Sequence, residues 1–186
     1  MNDETKIIPP HGGYQKLKSY QMAEIVYDAT VKFCERFVDK RSRTVDQMVQ
    51  AARSGKQNIV EGSMASGTSK KIELKLIGIA RASLEELLND YKDFLRQRLL
   101  SLWEKDHAEA KEVRDLAYSK DRSYATYITY IEASTPDVAA NTIICIIHQT
   151  NYLLDQQLRQ LERQFLKEGG ITERLYRVRS NARKKS

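Results

Sequence analysis

Apolar residues recur at helical intervals along almost the whole chain. Met22, Val26, Ala29, Phe33 and Phe37 step by four, three, four and four, one stripe on a helix predicted over about 17–38. Asp39 to Arg43 is a polar connection. A second helix is expected over about 44–64. Thr44 with Gln47 fits a capping box at its start: the hydroxyl bonds the N3 amide and Gln47 reaches back. Ser66-Gly67-Thr68-Ser69 combines helix-stop and helix-start chemistry. A third helix follows over about 70–100, with two stripes: Ile72, Leu76, Ile79, Ser83, Leu87 and Phe94, then Ile77, Leu84, Leu88, Tyr91 and Leu95. The last long helix spans about 136–168, opened by Pro136 after Ser134-Thr135 and closed by Gly169-Gly170. It too has two stripes, one through Ile143, Ile146, Thr150 and Leu153, the other through Ile147, Leu154, Leu158, Leu161 and Phe165.

Four long helices with short early connections predict an all-α, antiparallel four-helix bundle. Residues 1–13 read as a flexible leader, 14–168 as the bundle and 169–186 as a basic tail. The insertion 102–135 is charged and Tyr-rich, and is expected to hold one or two short helices. Between Gly78 and Pro136 there is neither Gly nor Pro, so nothing there forces a helix to stop. Doubled stripes mean more burial than one neighbour supplies. Two readings follow: the bundles pack against one another in a cyclic homo-oligomer, or residues 102–135 cover the second faces within one chain.

Composition narrows the class. At 186 residues, 41% hydrophobic and 30% charged, the chain can bury one sizeable core. Cys34 and Cys145 lie far apart in apolar helical patterns, with no CxxC partner, and read as buried reduced thiols. The N-terminus lacks the basic-then-apolar order of a signal peptide. The most apolar run, Ile143 to Ile147, is too short to span a bilayer. The expectation is a cytoplasmic protein without a membrane segment.

Polar residues stand among apolar ones where the second and third helices meet. Asn58, Glu61 and Arg81 are the candidate structural polar interface. Glu61 and Arg81 are placed to pair across the two helices, which would fix register more than add stability, and Asn58 would bond backbone or a polar neighbour.

Gln47, Ala51-Ala52, Ser54, Asn58-Ile59, Glu61-Gly62, and then Ile79-Ala80-Arg81, Ser83 and Glu86 resemble the signature of the bacterial four-helix-bundle family that includes the proteins encoded by intervening sequences in 23S ribosomal RNA genes. The accessory variability protein of diversity-generating retroelements is similar to that family. This resemblance covers about Tyr14 to Leu100. Beyond it, Ser123 to Tyr127, Tyr130-Ile131-Glu132, Ala139 to Thr142, His148-Gln149, Asn151 to Asp155 and Thr172 to Tyr176 resemble the C-terminal "suffix" region of a longer subgroup. The resemblance implies a homo-oligomeric bundle, of which a pentamer is one form. It also implies relatives that bind RNA and a reverse transcriptase through a basic surface. Where the family has Ile-Pro after Ser54 this chain has Gly55-Lys56, and Gln50 replaces a basic residue. Both changes are assigned to the surface side of the second helix, so no nucleic-acid contact is carried over there.

The chain shows no Gly-rich phosphate loop, HExxH or GxSxG. His11, His107 and His148 share no metal-building spacing. His148 and Asp155, seven apart, lie near one face, but no nucleophile accompanies them. No catalytic residue, metal or cofactor is assigned, and the chain is read as a non-enzyme. Charge is the better lead. From Ile171 to Ser186 stand Arg174, Arg177, Arg179, Arg183, Lys184 and Lys185 against Glu173, which places +5 of the net +6 there. These are the candidate nucleic-acid-binding residues, with Tyr176 among them for stacking; the alternative is a solubilising terminus. Tyr124, Tyr127 and Tyr130 step by three and are expected to pack on the bundle. Two functions stay open: RNA binding by an oligomeric bundle, or an oligomeric scaffold or adaptor for a protein partner.

Overall fold

The computed structural model describes residues 7–185, and every regular element among them is helical. A short 3-10 turn at Tyr14–Lys16 leads into α1 (Lys18–Phe37), α2 (Arg43–Ala65), α3 (Lys70–Gln97), α4 (Ala108–Leu116), α5 (Tyr124–Glu132), α6 (Pro136–Glu168) and α7 (Ile171–Lys185). The long helices form a helical bundle in which α1 packs on α2, α2 on α3, α3 on α6 and α6 on α1. The short helices α4 and α5 lie against α6, and α5 also against α1.

The core follows the stripes. Met22, Val26, Ala29 and Phe33 of α1 are buried with Ile77, Leu84, Leu88, Tyr91 and Leu95 of α3. Phe33 sits at the centre of an aromatic group, its ring centroid 4.9 Å from Tyr91 and 4.8 Å from Phe94, both edge-on. The buried Tyr91 hydroxyl donates to Thr30 Oγ1 at 3.1 Å, and Thr30 in turn donates to the Val26 carbonyl. Burial pushes the Tyr91 phenol well up. Burial also pushes the Cys34 thiol up to about 12 and raises Cys145; both are free and buried.

Helix ends show where local chemistry prevails. Ser69 Oγ accepts from the Ile72 amide at the start of α3, Pro136 stands at the start of α6, and Gly169 ends α6 with φ 71°. The start of α2 departs from expectation. Ser42, not Thr44, is the N-cap: its Oγ accepts from the Thr44 amide at 3.2 Å and its carbonyl from Val45. The end of α3 also differs. The helix stops at Gln97, and Leu99 turns the chain at φ 56°, a left-handed conformation costly for a side chain with a Cβ. What compensates comes from α6. Asn141, 1% exposed, accepts from the Trp103 amide at 2.8 Å and donates to the Ser101 and Asp137 carbonyls, each at 2.9 Å.

The two doubled helices resolve differently. On α6 the middle of the helix is covered within the chain: Ile143, Ile144, Ile146 and Ile147 are all buried, and α1, α3, α4 and α5 pack on the helix. On α3 the stripe through Ile72 is open only over its first turns, with Ile72 49% and Ile79 38% exposed, while Leu87 and Phe94 further along are buried. The leader is partly placed: the Gly12 amide donates to the Ser63 carbonyl at 3.1 Å. Residues 1–6 of that leader lie outside the described residues.

Gly55 corrects the assignment of its position to the surface. It is buried in the α2–α3 contact, where an added Cβ would lie 2.7 Å from Leu84 Cδ2. A small residue there lets the two helices approach closely.

Candidate nucleic-acid interface

The basic segment is ordered as a helix rather than a tail. Gly169 breaks α6 and α7 begins two residues later. The Gly170 amide donates to Glu173 Oε2 at 2.8 Å, satisfying a donor that the helix start leaves open. Hydrogen bonds from its own amide and from that of Gly170 hold the Glu173 carboxyl below its usual range, with Arg177 adding to the effect. Arg177 Nη2 donates to the Glu168 carbonyl at 2.7 Å, closing the α6–α7 bend.

Helical spacing sorts α7 into faces. Ile171, Leu175, Val178 and Ala182 fall on one narrow strip. Arg179 and Arg183 flank it on one side with the exposed Tyr176; Arg174, Arg177 and Lys184 flank it on the other. At 1.5 Å per residue the helix is about 22 Å long, comparable with several phosphate spacings. Its start meets the α2–α3 turn, sharing with Gly67, Thr68 and Ser69 a small recess lined by Arg174 and Arg177. Beyond that point α7 has little packing against the bundle. The Lys185 backbone ends the helix; its side chain and Ser186 lie outside the described residues.

The polar interface is built differently from the spacing-based expectation. Arg81 does not meet Glu61, which is exposed on α2. Instead Arg81 Nη1 pairs with Glu85 at 2.6 Å on its own helix, and Arg81 Nε with Asp155 at 3.3 Å on α6. Asn151 Nδ2 reaches the same Glu85 carboxylate at 3.4 Å. Arg81 therefore links α3 to α6, not to α2. The α2–α3 polar link is Ser54 Oγ to Ser83 Oγ at 2.9 Å, a pair that sequence reasoning did not single out. Asn58 supports it by donating to the Ser54 carbonyl at 2.9 Å and to Ser54 Oγ at 3.2 Å.

Among the described residues no hydrogen bond or ion pair links His148 to Asp155, whose carboxylate pairs with Arg81. Desolvation of the ring, and after it the Lys92 charge, lowers the His148 pKa. Tyr127 is buried, and burial raises its phenol to about 12; Tyr124 and Tyr130 pack at the core's edge, Tyr124 donating to Glu132 at 2.7 Å. The tyrosine series thus serves packing. Among the described residues no group of three or more His, Cys, Asp or Glu is placed to hold a metal ion, and no helix is long and apolar enough to cross a membrane. Comparison of the chain with protein-family models, curated proteins and solved structures finds no match.

Proposed function

We propose that this chain is a non-catalytic, cytoplasmic, homo-oligomeric four-helix-bundle protein that binds structured RNA through α7. The carrying observation is the charge on that helix. Arg174, Arg177, Arg179, Arg183 and Lys184 flank a helix that leans only lightly on the bundle. Such a surface neutralises phosphates and releases their counterions. The resemblance to the proteins of ribosomal RNA intervening sequences favours RNA among nucleic acids and supports assembly into a ring, where repeated α7 helices would add their weak contacts. The open first turns of the α3 stripe support assembly independently: Ile72, Leu76 and Ile79 form one helical strip, exposed at both ends.

The test is binding to a structured RNA across a salt series, with the full chain and with Arg174, Arg177, Arg179 and Arg183 all changed to Gln. Four phosphate contacts give a log–log salt slope of about −3 to −4. The quadruple variant should bind weakly and with a nearly flat slope. No binding by the full chain at 50 mM salt would discard the RNA reading. The open α3 face would then favour the other reading, an oligomeric scaffold for a protein partner. Light scattering of Ile72→Asp and Ile79→Asp tests the assembly itself: a smaller particle with unchanged helicity is expected, and an unchanged mass refutes it.

A further inference from the structure

A second concave surface lies away from α7, between the start of α1, the end of α4 with its following loop, and the middle of α6. It is a cleft of about 410 Å³, within the roughly 300–1,000 Å³ of sites that enclose small ligands. Lys18, Arg114 and Arg122 line it, and no carboxylate does. Among the described residues none of these cations forms a salt bridge, although both arginines are fixed by carbonyl oxygens. Arg114 donates to the Lys105 carbonyl at 2.8 Å; Arg122 donates to the Ala117 carbonyl and the Gln21 side chain, each at 3.1 Å. The lining of the cleft therefore carries net positive charge, with both arginines already positioned.

Two aromatic rings accompany that field. Tyr118 is 84% exposed and Tyr152 63%, large values for residues bordering a cleft with an apolar floor of Met22 and Leu153. Two buried polar atoms in the lining are also unpartnered: Arg122 Nε, a donor, and Gln149 Oε1, an acceptor. The Gln149 amide nitrogen is already used, donating to the Arg114 carbonyl at 2.9 Å, which fixes the free oxygen's position.

We propose that this cleft binds one nucleotide, its phosphate held by Lys18, Arg114 and Arg122 and its base stacked on Tyr118 and Tyr152. A nucleotide combines what the lining asks for: negative charge and a flat π face. Base–tyrosine stacking contributes about 1–3 kcal/mol per ring, equivalent to roughly a 5- to 150-fold loss on truncation. The nucleotide is either free or an unpaired residue of a strand, and both present the same chemistry. The site shares no residue with α7 and does not rest on the proposed role of that helix.

The test is titration of the ¹⁵N-labelled full chain with adenosine 5′-monophosphate, adenosine and a five-nucleotide oligoadenylate, read by amide shifts. Adenosine monophosphate should move amides in residues 114–122 and 148–153, and adenosine should bind at least about tenfold more weakly. Tyr118→Ala and Tyr152→Ala, both at exposed positions and safe for folding, should each weaken the monophosphate at least fivefold. The quadruple α7 Arg-to-Gln variant should bind it unchanged, which separates this site from the RNA surface. Tighter binding of the monophosphate identifies a free nucleotide as the ligand; at least tenfold tighter binding of the oligonucleotide identifies an unpaired strand residue. Absence of shifts in these segments at millimolar monophosphate, or affinity indifferent to both tyrosine changes, overturns the proposal.

Discussion

Adding one methyl group at Gly55 and at Gly78 makes the same local change in two helices, yet the two should move stability in opposite directions. In a helix interior, Gly to Ala is worth about 0.5–1 kcal/mol, because the unfolded chain loses freedom and the helix covers more of its backbone. At Gly78 nothing lies within 4 Å of the new Cβ, so that gain should appear whole. At Gly55 the Cβ would sit 2.7 Å from Leu84 Cδ2 and 2.8 Å from Leu84 Cγ. Leu84 is fully buried, and Cγ is not a freely swinging end. Overpacking of this kind costs about 1–3 kcal/mol. After the propensity gain a net loss of about 1 kcal/mol remains for Gly55→Ala. For a domain of this size each kcal/mol shifts the melting temperature by about 2–4 °C. Urea unfolding and calorimetry at one fixed protein concentration measure both variants, which keeps any assembly equilibrium constant. Leu84→Ala supplies the internal control. It costs about 2–5 kcal/mol by itself, but it removes the two obstructing atoms, so in its background Gly55→Ala should turn stabilising. If Gly55→Ala raises stability as much as Gly78→Ala does, α2 and α3 do not approach as closely as described, and the reasoning fails.

Leu99→Gly should stabilise the protein by about 1 kcal/mol, since it relieves a left-handed residue whose side chain is 95% exposed and packs on nothing; an unchanged or lower melting temperature would contradict this. Asn141→Ala should cost about 2–3 kcal/mol, because three hydrogen bonds from a buried amide are lost together and the chain after α3 is released. Faster hydrogen exchange at the Trp103 amide is the specific readout, and unchanged exchange there would refute the clamp. Acid should loosen the first turn of α7. The Glu173 carboxyl titrates below its ordinary value of 4.5 in the folded chain, so its contribution is present above that pH and is lost as pH falls through the lowered value. Glu173→Gln should remove that pH dependence from the Gly170 amide shift; a titration that persists in the variant would point to another group.

Much of this protein is determined locally. Helix spans follow from apolar spacing, and several ends follow from single residues: Ser69 as a cap, Pro136 in the first turn, Gly169 at a positive φ. Those features act within one turn of chain, so the sequence alone displays them. The concentration of positive charge between residues 171 and 186 is equally plain in sequence. Its helical form is less so, because an interrupted apolar strip of Ile171, Leu175, Val178 and Ala182 is a weak signal beside so many charges.

Other features needed three dimensions. Periodicity says that Arg81 and Glu61 lie near buried faces, but the rotation and axial offset of packed helices decide which carboxylate of another helix meets the guanidinium; here it is Asp155, 74 positions along the chain, beside Glu85 of the same helix. Gly55 is ambiguous in sequence because glycine marks exposed and crowded positions alike, and only the approach of Leu84 distinguishes them. The halt of α3 at Gln97 has no local breaker; its turn is stabilised by an asparagine some 40 positions away. The nucleotide cleft gathers residues from α1, α4, the loop after it and α6 that no spacing rule connects. Local rules act through backbone geometry over a few residues, whereas these contacts depend on how rigid helices settle against one another, and side-chain packing across the whole bundle sets that arrangement.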